Sequence, residues 1–226
     1  MFGIIDLAGI PKDRYYLYRS HWNKSAKTLH ILPHWTWPGR EGEVTPVFVY
    51  TNYPAAELFI NGKSYGKQSK NNSSLKSRYR LMWMDAVYEP GEVKVVAYDK
   101  DGKAVAEKVV RTAGKPHHIE LVSNRNELTA DGKDLAYVTV KVVDKDGNLC
   151  PTAANEITFK VKGKGYYRAG ANGDPTSLES FQAPHMKVFS GMMTAIVSST
   201  EEPGKITLEA TSKGLKKATL VIESGK

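Results

Sequence analysis

GIIDLAGIPKDRYYLYRSHWNKSAKTLHILPHWTW, residues Gly3–Trp37, differs in pattern from the rest of the chain. It alone carries helical periodicity, and it holds three of the four tryptophans: Trp22, Trp35 and Trp37. Pro11 suits a first helical position. After it, apolar or aromatic side chains recur at Tyr15, Tyr16, Leu17, Tyr18 and Trp22. The three- and four-residue spacing of Tyr15, Tyr18 and Trp22 marks one helical face. Ahead of it, Phe2–Ile5 is a short apolar run of the kind expected for a buried parallel strand, and Asp6–Ile10, with Gly9, is a loop. The order is strand, loop, helix. A short helix on an otherwise β chain gains its stability from packing its apolar face on something else. The stretch therefore reads as the tail of something larger, and Met1 directly before the apolar run suggests an artificial start inside a strand.

Working outward, everything after Trp37 reads as β-sheet. VFVYTN alternates inward and outward residues, and AELFINGKSYG is a hairpin with Asn61-Gly62 at its turn. Asn-Gly supplies the two positive φ angles that a type I′ turn demands. Lys67–Ser77 is a polar loop whose Asn71 and Asn72 fit glycosylation sequons, matches that are common by chance. Tyr79–Met84 is an apolar strand, Pro90-Gly91 a turn, and Glu92–Tyr98 pairs with Lys103–Arg111 across a DKDG turn. Thr112–Pro116 is the natural linker. Beyond it, strands are expected at His118–Ser123, Ala136–Asp144, Ile157–Val161, Lys187–Ser198, Lys205–Thr211 and Leu215–Ile222. Ile206, Leu208 and Ala210 alternate with polar neighbours, the period of a half-buried strand. Strands at this spacing over about 110 residues suit an immunoglobulin-like sandwich. The expected division is 1–37, 38–114 and 115–226.

Bulk properties narrow the function classes. With 41% hydrophobic and 10% aromatic residues over 226 positions, the chain is globular and long enough for two domains. No apolar run approaches the roughly 20 residues that cross a bilayer, and no charged-then-apolar start suggests a signal peptide. Neither a membrane nor a nucleic acid is expected as a partner. The net charge of +8 comes from lysines interleaved with acids, as in EVKVVAYDKDGKAVAEKVV, with no basic run set among stacking aromatics. Such lysines suit solvated strands and protected sheet edges. The single Cys150, with apolar flanks, excludes an intrachain disulfide and a cysteine-rich metal site, and reads as a buried inert thiol.

FGIIDLAGIPKDRYYLYRSHW resembles the eighth strand and helix of the barrel in glycoside hydrolase family 2, close to its β-galactosidase members. LHILPHWTWPG resembles the exit from that barrel, and VYTNYPAAELFINGKSYGK the first sandwich after it. ELTADGKDLAYVTVKVVDKDGNLCP, ITFKVKG and PGKITLEATSKGL resemble the bacterial immunoglobulin-like modules, invasin-like in style, at the C-terminus of these galactosidases. The resemblance covers most of the chain. It implies a mainly β fold: two immunoglobulin-like antiparallel β-sandwiches preceded by a short strand–helix remnant of a TIM barrel. It also implies non-catalytic accessory domains of an enzyme that hydrolyses terminal β-galactosides with retention, supporting the barrel and shaping the substrate cleft. The expected partners are the catalytic barrel of the same chain and a carbohydrate, with no cofactor, in the periplasm or outside a bacterial cell.

A retaining glycosidase needs two carboxyls about 5–5.5 Å apart. In the family both are Glu residues on earlier barrel strands, so no catalytic residue is assigned here and the fragment is expected to be inactive. Four residues are candidates for substrate binding in the full-length context: Asp6, His34, Trp35 and Trp37. Asp6 leaves the last strand on the face where barrel active sites are built, with a turn or cap as its competing role. Trp35 and Trp37 suit stacking on sugar rings and His34 a polar contact, against a competing role as a plug packed between barrel and sandwich. An alternative function is a carbohydrate-binding or adhesion-type module pair, with Trp83, Tyr88, Trp35 or Trp37 as a stacking platform. No metal site is expected. Asp99–Gly102 and Asp144–Gly147 lack the further ligands of a calcium loop and fit turn chemistry. Asn172–Asp174, in a loop that resembles a recurrent one of the family's last module, is read as a tight turn, with an ion or a neighbouring domain as the competing ligand. His117 and His118, adjacent at a strand start, are expected to point to opposite faces.

Overall fold

A computed structural model describes residues 3–226, and they form two compact units. One is Pro11–Thr112, and the other joins the described residues up to Ile10 to Ala113–Lys226.

The first unit opens on helix α1 (Asp13–Trp22) and continues through β1 (Leu29–Leu32), β2 (Val47–Thr51), β3 (Ala55–Ile60), β4 (Lys63–Ser69), β5 (Leu81–Trp83), β6 (Glu92–Tyr98) and β7 (Ala104–Arg111). The strands form two antiparallel sheets, ordered β1-β2-β5 and β4-β3-β6-β7. Alternation places Val47 and Val49 of one sheet, and Leu58, Val93 and Val95 of the other, in one core with Trp35, Leu81, Trp83 and Tyr88. The expected hairpin forms, with Ile60 opposite Lys63 and with φ of +49° at Asn61 and +81° at Gly62. The turn does more than reverse the chain. Asn61 Oδ1 accepts from Glu92 N (2.8 Å) and Nδ2 donates to Pro90 O (3.2 Å), tying it to the start of β6.

The helix begins at Asp13 rather than Pro11, and its expected apolar face is not the one it buries. Trp22 is 70% exposed and stacks on Tyr18 at 4.5 Å, while Ser20 is its buried residue. The helix is instead fastened to the sheet through β1. Tyr16 stacks on His30 at 3.9 Å, and the Asp13 carboxylate meets His30 Nε2 at 2.7 Å. The segment Leu29–Leu32 pairs with β2 from Leu29↔Thr51 to Leu32↔Phe48 and is thus a sheet edge. Phe2 lies outside the described residues, and the rest of the expected first strand, Gly3–Ile5, forms no strand.

The second unit contains β8 (His118–Ser123), β9 (Glu127–Thr129), β10 (Leu135–Val143), β11 (Glu156–Gly163), β12 (Gly165–Ala171), β13 (His185–Lys187), β14 (Met192–Ser199), β15 (Gly204–Thr211) and β16 (Ala218–Gly225). They make a sandwich of sheets β12-β14-β10-β8 and β13-β11-β15-β16-β9, antiparallel except for the parallel pair β9–β16. Val138, Val140 and Val142 of β10 meet Met193, Ala195 and Val197 of β14, and Ile157, Phe159, Ile206 and Leu208 face them from the other sheet. The single strand expected at Lys187–Ser198 is two strands. A tight turn between them, with φ of +51° at Ser190 and +75° at Gly191, moves the chain from one sheet to the other.

The linker is anchored in the second unit by Asp144, 2% exposed. Its Oδ2 accepts from Gly114 N (2.8 Å), and its Oδ1 from the amides of Asp146 and Asn148 (2.9 Å each). Burial works against the charged carboxylate, yet these donors and the Asn148 amide outweigh it and bring the pKa down to about 2. Cys150, 1% exposed, lies beside Gly114, and its pKa is raised by burial and by Asp144. The rings of His117 and His118 do not diverge as the alternation of a strand would require. They meet edge to face with Nδ1 atoms 3.0 Å apart, because the strand begins only at His118 and His117 keeps the geometry of the linker.

Candidate functional site

The four sequence candidates are divided between the two units: Asp6 belongs to the one that holds Ala113–Lys226, and His34, Trp35 and Trp37 to the other. Asp6 closes the turn it sits in. Its Oδ1 accepts from the amides of Ala8 (2.9 Å) and Ile10 (2.8 Å), and its own amide donates to Ile10 O (3.0 Å). The carbonyl of buried Ala8 accepts from Thr194 Oγ1 on β14 (2.8 Å), which seats the turn on the second unit's own sandwich. Gly173 passes so close that a Cβ there would lie 2.3 Å from Asp6 Oδ2. Two segments read separately in the sequence, Asp6–Ile10 and Asn172–Asp174, are therefore neighbours. In the latter, Asn172 Nδ2 donates to Lys187 O (2.9 Å), and Asp174 Oδ1 accepts from Thr176 N and Oγ1. The Asp174 bonds close the turn, and the Asn172 bond ties it to the end of β13.

The segment after β1 carries the aromatic cluster. Leu32–Pro33 is a cis peptide, and the chain then turns Trp35 inward and His34 and Trp37 outward. Trp35 is 1% exposed, packs edge-on against Tyr88 at 5.2 Å, and donates its indole N–H to Glu89 O (2.9 Å). It has no ring face to offer a sugar. Trp83 and Tyr88 are equally buried, which removes three of the four side chains from any stacking platform. Trp37 is half-buried. His34 stacks on it at 4.1 Å, the Arg40 guanidinium stands 5.2 Å from it, and its indole N–H donates to His34 O (2.9 Å).

His34 Nδ1 accepts the Thr36 amide (3.3 Å), which leaves the proton on Nε2 in the neutral ring. Desolvation against its neighbours lowers the His34 pKa, only partly opposed by the Asp13 carboxylate. A neutral imidazole with a free Nε2–H, beside an indole, can donate to a sugar hydroxyl while the ring edge meets C–H groups. It is a contact surface rather than acid–base machinery.

Within the same unit the structure assembles a second feature. Ser20 and His21 at the end of α1, Lys24 and Lys27 after it, Asn52 after β2, and Lys70, Asn72, Arg78 and Tyr79 line a cleft of about 540 Å³. Arg78 donates through Nε (3.1 Å) and Nη2 (2.8 Å) to Asn72 O, and the Lys70 ammonium donates to Thr51 O. Burial lowers the Lys70 pKa. No sequence pattern marks this cleft, since its cations come from separated segments and each, taken alone, reads as solvated surface. Among the described residues, no three His, Cys, Asp or Glu side chains gather as a metal centre would require.

Sequence and structure comparisons assign this pair of units to a class of protein. Residues 119–221 match the glycoside hydrolase family 2 C-terminal domain 5, and residues 42–106 match a domain of unknown function, DUF4982. The chain belongs to glycoside hydrolase family 2. It is 46% identical over 99% of its length to β-galactosidase BoGH2A of Bacteroides ovatus, covering 25% of that protein. It is also 32% identical over 90% of its length to a putative β-glucuronidase of Formosa agariphila, covering 19% of it. The crystal structure of a β-glycosidase from Bacteroides vulgatus matches 98% of the chain with a TM-score of 0.90 at 39% identity, over 28% of that structure. The chain thus spans about a quarter of the length of the relatives it matches.

Proposed function

We propose that this chain is the non-catalytic C-terminal portion of an enzyme that hydrolyses terminal β-galactosides with retention of configuration. The observation that carries the reading is the 46% identity, over nearly the whole chain, to a β-galactosidase of which it spans 25%. Retention requires a nucleophilic carboxylate and a carboxylic acid about 5–5.5 Å apart, the first forming a glycosyl-enzyme intermediate that water then hydrolyses. In this reading both carboxyls belong to a barrel outside these residues, and the sandwiches support that barrel. His34 and Trp37 are the side chains of this chain offered to substrate at the edge of the cleft. Trp35 holds the backbone that presents them, and Asp6 shapes a turn. A periplasmic or extracellular location accompanies the reading, supported by the family resemblance.

Relatives named β-glucuronidases favour a second substrate, a β-glucuronide. Chromogenic β-galactoside and β-glucuronide, offered in parallel to the full-length polypeptide and to this 226-residue chain, test both. The expected result is turnover of the galactoside by the full-length protein and none by the fragment. Turnover by the fragment overturns the division of roles, and preference of the full-length protein for the glucuronide overturns the galactoside.

A further inference from the structure

We infer that the cleft beside the end of α1 binds an anionic sugar residue, a uronate or a sulfated sugar, in the glycan on which the parent enzyme works. The inference rests on the reading of the chain as part of a glycan-degrading enzyme and adds a ligand class and a site to it. Lys24, Lys27, Lys70 and Arg78 converge on one cleft from different segments of a single unit. Elsewhere some cations stand against acids, as in Arg111–Glu92, Arg125–Asp134 and Lys217–Glu209. No ion pair among the described residues includes any of the four cleft cations. Their partners are neutral: Asn72 O for Arg78, Thr51 O for Lys70 and the Tyr53 ring for Lys27. The carbonyl end of α1 contributes only about half a negative charge, far short of four cations.

Like charges held round a concavity raise the local concentration of anions, and a volume of about 540 Å³ is the size of a small-molecule site. The geometry also selects the kind of anion. Asn72 and Tyr79 line the cleft beside its cations, uncharged polar side chains that suit a ligand carrying hydroxyls as well as charge. The Tyr79 ring meets His21 edge to face at 4.8 Å, so no stacked aromatic platform for nucleobases is present there.

The test is affinity electrophoresis of the full-length protein in gels containing polygalacturonate (carboxylate only), dextran sulfate (sulfate only) or neutral galactan, beside a titration with a thymidine oligonucleotide. Retardation by at least one acidic polymer, exceeding that by neutral galactan, is expected, and which polymer acts identifies the anion. Replacing Lys24→Ala and Lys27→Ala together should weaken that retention about tenfold, the loss of two partly exposed ion pairs. The charge-keeping Lys24→Arg/Lys27→Arg variant should retain it. Lys160→Ala/Lys162→Ala, on exposed positions of β11, removes the same net charge and should leave retention unchanged. Absence of retardation, an equal effect of the β11 pair, or tighter binding of the oligonucleotide than of either acidic glycan overturns the inference. If retention follows this pattern while neither chromogenic glycoside is hydrolysed, the enzymatic reading fails and the anion site stands.

Discussion

Trp35 and Trp37, two residues apart, show how burial assigns different work to one residue type. Trp35 is fully enclosed with its N–H satisfied, so Trp35→Ala removes a large apolar volume and leaves the Glu89 carbonyl unpaired. A loss of about 3–5 kcal/mol is expected in urea unfolding. Trp37→Ala should cost about 1 kcal/mol in the same measurement, because the ring is only half-buried; the substrate contact proposed for it is checked separately, as a raised KM of the full-length protein. Asp144 makes the electrostatic prediction. Its folded pKa of about 2 lies below the unfolded value near 3.9. The carboxylate therefore stabilises the fold fully above about pH 4, and that contribution is lost as pH falls through about 2. Asp144→Asn should lower stability by about 2 kcal/mol at pH 7 and by much less at pH 2, read from urea midpoints at the two pH values.

At the scale of elements, Asn61-Gly62 was legible in the sequence as a turn because its chemistry is local. Its second role was not, because the Asn61 amide bonds to Pro90 and Glu92, about thirty residues on. Gly91 completes that contact. Its φ is +140°, and a Cβ there would come within 2.0 Å of Asn61 Oδ1. Gly91→Ala should therefore displace the Asn61 side chain and cost about 1–3 kcal/mol in thermal or urea unfolding. Adding Asn61→Ala to it should cost only about a further 1 kcal/mol, the strain of Ala at the φ of +49° in the turn, since the contact itself is lost once. Alternation along the chain marks β6 and β8 with their observed bounds, runs β13 and β14 together, and does not mark β1, β9 and β12. β9 and β13 are three-residue strands, and GYYRAGA breaks its alternation at a register shift between Tyr167 and Ala169. The helix was placed within two residues, but its buried side was misjudged. Tyr16 and Asp13 dock on His30, a partner that periodicity within the helix cannot reveal.

For the whole molecule, each unit encloses its own apolar core, one around Trp35 and Trp83 and the other around β10 and β14. Function is expected to divide differently, with turnover by the full-length polypeptide and none by these residues alone, as the paired chromogenic assays read directly. The family, the β character and most strands of both sandwiches are readable from the order of residues alone. Those properties follow from period-two burial, turn chemistry and motifs that are contiguous in the chain. Only the tertiary structure decided what the opening stretch does within this chain. It turned Trp35 into core and left His34 and Trp37 outside. It set Asp6 against Gly173 and drew four cations from scattered segments to one cleft. Burial, close approach and charge convergence depend on which distant residues meet, and no local pattern of side chains records that.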